Sequence, residues 1–303
     1  MDRTVGERAM QDKGDRADAL QRRALVGSFM PFVVRCTRGH AVLERVAAGH
    51  QLAAHQLGLL NSAYLAVGRA PVSERALRDA VPYAARSRLG AEHWQPMIAV
   101  GFARELADGW VMTEAGLDVV AELYREVWRE VASRTVDPAL VGRIGVILER
   151  HSYTVLLTSR ARFIRELWVE APTTPLVRLY RAVWELSIYR DACFRAAWQT
   201  EGYTGPLIDV LTQVWEGAST AEAITERLAA KQERESIVAN LVLLEERDDI
   251  ERSADAVALT TQGRATRDAI EGRTDTAYFD RWPVGVRLQA LKVDFDALMR
   301  AVE

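Results

Sequence analysis

The sequence has little of what marks a secreted, metal-binding or membrane protein. Only two of its 303 residues are cysteines, Cys36 and Cys193, and two cysteines so far apart match neither a disulfide framework nor a metal-ligand spacing. No apolar run approaches the roughly 18 residues that span a bilayer. Residues 1–23 are charged throughout and lack the apolar segment of a secretion signal. We therefore expect a cytoplasmic protein that makes no contact with a membrane.

Excess positive charge is also absent. The chain has 39 basic and 42 acidic side chains, for a net charge of −3. Residues 1–150 carry 20 basic and 18 acidic side chains, and residues 151–303 carry 19 and 24. A nucleic-acid-binding protein usually shows a basic domain or stripe, so this balance argues mildly against one.

Catalytic motifs are missing as well. The chain contains no Gly-x-Ser-x-Gly, no glycine-rich phosphate loop and no His-Glu-x-x-His. His50 and His55 lie five apart, about 140° around a helix, so they do not share a face as two metal ligands would. Glu185 and Asp191 could act as acid or base if buried, but pairing with Arg181 or Arg195 is the commoner role. No catalytic residue, metal site or cofactor is predicted.

One short pattern occurs twice and organises the rest of the chain. Residues 111–116 and 258–263 each read as the end of a strand, a threonine, and a glycine that opens an amphipathic helix. Each follows a helix, a turn and a second helix, and Ser73 and Thr220 are the candidate N-caps of the first of these helices. An offset of 147 residues takes Ser73 to Thr220 and Gly116 to Gly263. The sequence therefore predicts an internal repeat.

This order of elements predicts a mainly α-helical chain with small β-wings, in which two tandem winged-helix modules form an intrachain pseudo-dimer. The recognition helix is expected within residues 91–106 of the first module and 232–247 of the second. The second wing is expected at 250–258, whereas the tight reversal at Asp108-Gly109 predicts a degenerate first wing. The predicted domains are a flexible lead-in (1–18), module one (19–136), connecting helices and linker (137–175), module two (176–283) and a C-terminal helix (284–303).

The second module resembles a known family. Its recognition helix, its acidic turn at Asp248-Asp249, its wing, and then Leu259-Thr260-x-x-Gly263-Arg264 and a long helix resemble the winged-helix domain of MarR-type regulators. Residues 273–283, followed by a leucine-rich terminal helix, are similar to a group of largely uncharacterised actinobacterial tandem winged-helix proteins. The resemblance implies a winged-helix fold and binding of duplex DNA by a two-fold pair of modules.

The residues predicted to contact DNA lie at the start of the second recognition helix and on its wing. Gln232, Arg234 and Ser236 are residue types that read base edges in a major groove, and Arg252 lies on the wing. The alternative is a solvated first helical turn, and the acidic residues around Arg252 would repel the phosphate backbone.

Aromatic residues are dense between residues 168 and 215. Tyr180, Trp184 and Ile188 fall four apart on one helical face, which is typical of a core between modules. The alternative is a pocket for a planar or apolar ligand ringed by Arg181, Arg190 and Arg195. The candidate ligand-binding residues share this segment or the start of the first recognition helix: Trp94, Trp168, Tyr180, Arg181, Trp184 and Trp198.

Two functions remain open on these grounds. The first is a ligand-responsive transcriptional regulator that binds duplex DNA. The second is a winged-helix scaffold that no longer binds DNA and acts as a small-molecule binder or enzyme of specialised metabolism, with an aromatic small molecule held between the modules. Pairing of the pseudo-dimeric chain into a true dimer is left open.

Overall fold

The computed structural model describes residues 20–38, 40–83, 89–154, 163, 166–167, 171–282 and 285–302. Residues 20–26 are helical and precede the elements that we label. Those before residue 171 are α1 (Phe29–Cys36), α2 (Ala41–Gly49), α3 (Ala54–Val67), α4 (Glu74–Ala80), a 3-10 turn (Ala91–His93), α5 (Gln95–Ala99), β1 (Ala103–Leu106), β2 (Gly109–Met112), α6 (Glu114–Ala132) and α7 (Pro138–Thr154). Those after it are α8 (Pro175–Thr200), α9 (Gly205–Trp215), α10 (Ala221–Leu228), α11 (Arg234–Glu246), β3 (Ile250–Ser253), β4 (Ala256–Leu259), α12 (Thr261–Phe279) and α13 (Leu288–Ala301).

The protein is mainly helical and carries two small antiparallel sheets, as the sequence predicts. In the first hairpin Ala103 pairs with Met112 and Leu106 with Gly109. In the second Ile250 pairs with Leu259 and Ser253 with Ala256. Each hairpin also receives an isolated bridge from the residues just before a short helix, Val72 with Trp110 and Thr220 with Ala256. Each sheet is therefore held against the helix pair that precedes it.

The two halves of the chain repeat one another closely. The offset of 147 residues takes the bounds of β1, β2 and α6 onto those of β3, β4 and α12, and takes the end of α7 onto the end of α13. We call residues 20–154 the first copy and 171–302 the second. The prediction of a degenerate first wing is wrong, because both hairpins have four-residue strands in the same register. The prediction of one recognition helix over 91–106 is also wrong, since this range holds a 3-10 turn, α5 and β1.

The repeated threonine and glycine build the same joint in both copies. The hydroxyl of Thr113 accepts a hydrogen bond from the Gly116 amide and donates to the carbonyl of Gly101, and Thr260 does the same with Gly263 and Asp248. A side chain on Gly116 or Gly263 would collide with the carbonyl oxygen of residue 102 or 249. The pattern thus fixes how each hairpin enters the long helix behind it. Ser73 and Thr220 are confirmed as N-caps, with their side chains accepting from Ala76 and Ala223.

Helix α8 is the centre of the molecule. It packs against α1, α6, α7 and α12, and the corresponding helices α7 and α13 pack against each other. One apolar core joins the first copy to α8 as far as Cys193, to the end of α12 and to α13. A second core lies within α9–α12 and its hairpin. Among the described residues, no helix combines the length and the apolar character needed to cross a membrane.

Candidate functional site

Gln232 is not available for contact with DNA. Its side chain is 1% exposed, and its amide donates to the carbonyl of Pro206 at 3.2 Å and accepts from Asn240 at 3.2 Å. It therefore ties the turn between α10 and α11 to the start of α9, and the interpretation of Gln232 as a base-reading residue is wrong. Buried polar side chains with both partners satisfied usually have such a structural role.

The outward face of α11 is apolar and acidic. Arg234 is exposed and Ser236 half-buried in its first turn, but Val238, Val242 and Leu243 are 44%, 41% and 47% exposed further along. Between residues 234 and 255 the exposed charged side chains are three arginines and six carboxylates. Arg252 on the second hairpin contacts Glu245 at 3.4 Å. This surface has a net negative charge, which opposes contact with phosphate.

The predicted ligand residues separate into different places. Trp94 is fully buried and stacks on Trp110 at 4.9 Å inside the first copy. Tyr180 and Trp198 are 1% and 3% exposed, so they are core residues. Trp168 lies outside the described residues. Of the five described candidates, Trp184 lines the cavity described below, and it also stacks on Tyr124 at 5.5 Å.

The arginines expected to ring a ligand are instead engaged in ion pairs. Arg181 lies 3.8 Å from Glu185 and donates to the hydroxyl of Tyr153. Arg190 contacts Glu271, and Arg195 contacts Asp191 at 3.4 Å. Pairing is thus the role that the structure shows for these carboxylates, and Arg181 as a ligand-binding residue stays a prediction.

A cavity of about 420 Å³ lies between the two copies. Its walls come from α1, from the end of α4 and the turn after it, from the middle of α8, and from the turn between α10 and α11. Most of its lining is apolar: Met30, Ala80, Val81, Pro82, Tyr83, Trp184, Ser187, Ile188, Asp191, Ala230 and Lys231. A smaller cavity of about 280 Å³ adjoins it and shares Ala80, Ile188 and Asp191. Volumes of this size accept small organic molecules.

The polar side chains that line the cavity contact one another across the boundary between the two copies. The Tyr83 hydroxyl donates to Asp191 at 2.7 Å, and burial together with the charge of Asp191 raises the pKa of Tyr83. The Lys231 ammonium lies 5.5 Å from the centre of the Tyr83 ring and donates to Asp209 at 3.1 Å. Burial raises the pKa of Asp209, and Lys231 opposes that shift. Lys231 therefore stabilises a buried carboxylate as well as closing one side of the cavity.

Corresponding turns of the two copies meet at this cavity. Tyr83 and Ala230 are related by the offset of the repeat, and both line it. The contact is nevertheless asymmetric: the carbonyl of Pro82 lies against Gly205, whereas a side chain on Gly58, the counterpart of Gly205, would meet nothing within 4 Å. Tyr83 also packs against the core of the second copy, 6.5 Å from the ring of Trp198. The cavity therefore lies at the contact between the two copies.

Sequence reasoning missed most of this site. Met30, Tyr83 and Lys231 come from three distant segments and carry no shared motif. The one local signal is Pro82, which ends a helix and is followed directly by an aromatic residue.

Compared with protein-family models, curated proteins and solved structures, the chain matches none of them.

Proposed function

We propose that the chain is a tandem winged-helix protein that binds a small, largely apolar molecule in the cavity between its two copies. Three features support the fold: two short helices before each hairpin, the bridges at Val72 and Thr220 that add a third strand position, and the long helix after each hairpin. The resemblance of residues 220–273 to MarR-type regulators agrees with this order. The internal offset then makes the chain an intrachain pseudo-dimer.

The cavity is the observation that carries the functional part of the proposal. Its walls are apolar and aromatic, with few polar groups at defined positions, which is the usual composition of a small-molecule site. Trp184, Ile188 and Tyr83 supply flat or apolar surface, while Ser187, Asp191 and Lys231 supply hydrogen-bonding groups. An aromatic ligand with one polar substituent fits this lining.

A cavity-filling substitution tests ligand binding. In a thermal-shift screen of small aromatic compounds we expect at least one to stabilise the protein, and Ser187→Phe to weaken its binding by about tenfold or more, because the new ring occupies the cavity. Thr200→Phe is the matched control, since Thr200 is exposed at the end of the same helix. The compound should quench the fluorescence of Trp184, so Trp184→Phe should lose the quenching that Trp198→Phe retains. Equal binding by wild type and Ser187→Phe would remove the cavity from the proposal.

The helix pair α10–α11 and its hairpin favour a second candidate function, transcriptional regulation through duplex DNA. In helix-turn-helix regulators the second helix of such a pair lies in the major groove, and Arg234 is exposed at the start of α11. The net negative charge of the surface and the three exposed aliphatic side chains on α11 rank this function second.

Fluorescence anisotropy with duplex DNA distinguishes small-molecule binding from transcriptional regulation as the main function. We expect weak binding at low salt, and we expect Arg252→Ala to change it by less than about twofold, because Arg252 is paired with Glu245. Arg234→Ala is the companion variant. Tight binding whose logarithm falls linearly with the logarithm of salt concentration, and which Arg234→Ala weakens, would make the regulator the leading function.

A further inference from the structure

Helix α11 presents an apolar ridge between two negative charges. Val238 and Val242 lie one turn apart and are 44% and 41% exposed. Glu235 and Glu246, both exposed, are eleven residues apart, which places them within about 20° of each other around the helix and about 16 Å apart along it. We call these four residues the α11 ridge. The charge of the ridge is −2.

A groove of opposite charge lies elsewhere on the molecule. It runs between α7 and the start of α13, encloses about 440 Å³, and includes Val146, Val286 and Ala290. Val146 is 74% exposed. Arg150 and Arg287 stand exposed at its rim, while Arg143 is neutralised by Asp294 at 2.9 Å. We call this the α7–α13 groove, and the two rim arginines give it a charge of +2.

We propose that the α11 ridge of one molecule docks in the α7–α13 groove of a second copy of the chain. The two valines match the aliphatic floor of the groove, and the two glutamates match the two rim arginines in number and sign. An amphipathic helix laid in an apolar groove is a common mode of recognition. Neither surface takes part in the cavity between the copies, so this proposal does not depend on ligand binding.

The contact is head to tail, because the two surfaces differ and lie on different parts of the molecule. Such a heterologous contact forms a closed ring where the rotation between neighbours closes, and an open chain where it does not. One helix in one groove buries a small area, and such interfaces are weak and transient. The charge match makes the association sensitive to salt.

Sedimentation velocity tests the proposal. Between about 10 and 200 μM, where small interfaces associate, we expect the weight-average sedimentation coefficient of the full chain to rise, and to rise less at high salt. Val242→Asp blocks the ridge and Arg150→Glu with Arg287→Glu blocks the groove, and each should lower the association constant by about tenfold or more. Val100→Asp is the control, since Val100 is 43% exposed and lies in neither surface. It should associate like wild type.

Mixing the two blocked proteins gives the sharpest result. Val242→Asp retains its groove and the double arginine variant retains its ridge, so together they can form one native contact and no more. We expect a one-to-one complex that does not grow with concentration. A monomeric wild type over the whole range would overturn the proposal, as would a mixture that stays monomeric or Val242→Asp that associates like wild type.

Discussion

Replacing Gly263 by alanine is expected to destabilise the protein by about 3 kcal/mol, because the added methyl group would collide with the carbonyl oxygen of Asp249. That oxygen belongs to the backbone that leads into β3, and it accepts a hydrogen bond from the amide of Thr260. Relief of the clash would therefore have to move the second hairpin away from the start of α12. Backbone atoms have fewer ways to move than a side chain, so a local rearrangement does not relieve the clash.

Gly272→Ala is the matched control on the same helix. A side chain at Gly272 would meet nothing within 4 Å, and alanine is favoured over glycine inside a helix by about 1 kcal/mol. In urea denaturation the midpoint of Gly263→Ala should therefore lie below that of wild type, and the midpoint of Gly272→Ala above it. Gly116→Ala should repeat the loss in the first copy, where the collision is with residue 102. Similar midpoints for Gly263→Ala and Gly272→Ala would contradict the close approach at this joint.

This joint is the part of the fold that local sequence predicts best. A threonine cap and a glycine three residues later express a rule that acts over four positions, so Thr113-Gly116 and Thr260-Gly263 are visible without any tertiary information. The first hairpin was mispredicted because the helix expected over 91–106 includes all of β1, which leaves no first strand before the reversal at Asp108-Gly109. Its Trp110 is buried by stacking on Trp94, which only the folded chain reveals.

The candidate site shows where such reasoning stops. Gln232 has the chemistry of a base-reading residue, and its burial depends on Pro206 and Asn240, which lie outside its own turn. Trp184 and Trp198 lie on one helix and look alike in sequence, yet Trp184 lines the cavity and Trp198 is covered. Trp198 is covered by the core of its own copy, whereas Trp184 faces the turn after α4, which comes from the other copy. Residue type therefore predicts the chemistry that is present, whereas the tertiary contacts decide where it is used.

Glu271→Ala is expected to cost about 3 kcal/mol, because Arg267 of α12 would lose its buried carboxylate and Arg190 of α8 would keep only Asp275, at 3.6 Å. Arg267 contacts Glu271 at 2.8 Å, and their side chains are only 4% and 6% exposed. Arg190 from α8 contacts the same carboxylate. Glu201→Ala is the control, since it removes an ion pair with Arg273 whose side chains are 36% and 43% exposed, and exposed pairs contribute about 1 kcal/mol or less.

Because Glu271 is paired in the folded protein, we expect the stability of the protein to depend on pH. Burial would raise the pKa of Glu271, but Arg190 and Arg267 outweigh it and hold the pKa below its ordinary value of 4.5. A lowered pKa in the folded state means that the stabilisation is complete above the ordinary pKa and is lost as the pH falls below it. Glu271→Gln should therefore lose less stability than wild type between neutral and acidic pH. Parallel pH profiles would contradict this role of Glu271.

The first copy shows what an apolar version of this interface looks like. The offset of the repeat places Leu43, Val120 and Tyr124 where the second copy has Arg190, Arg267 and Glu271. Burying ions costs desolvation energy that their attraction only partly returns, so replacing a whole buried network by packed apolar side chains is often neutral or stabilising. We therefore expect the triple variant Arg190→Leu, Arg267→Val, Glu271→Tyr to recover most of what Glu271→Ala loses. A triple variant as unstable as Glu271→Ala would mean that these apolar side chains cannot replace the ion pairs between α8 and α12.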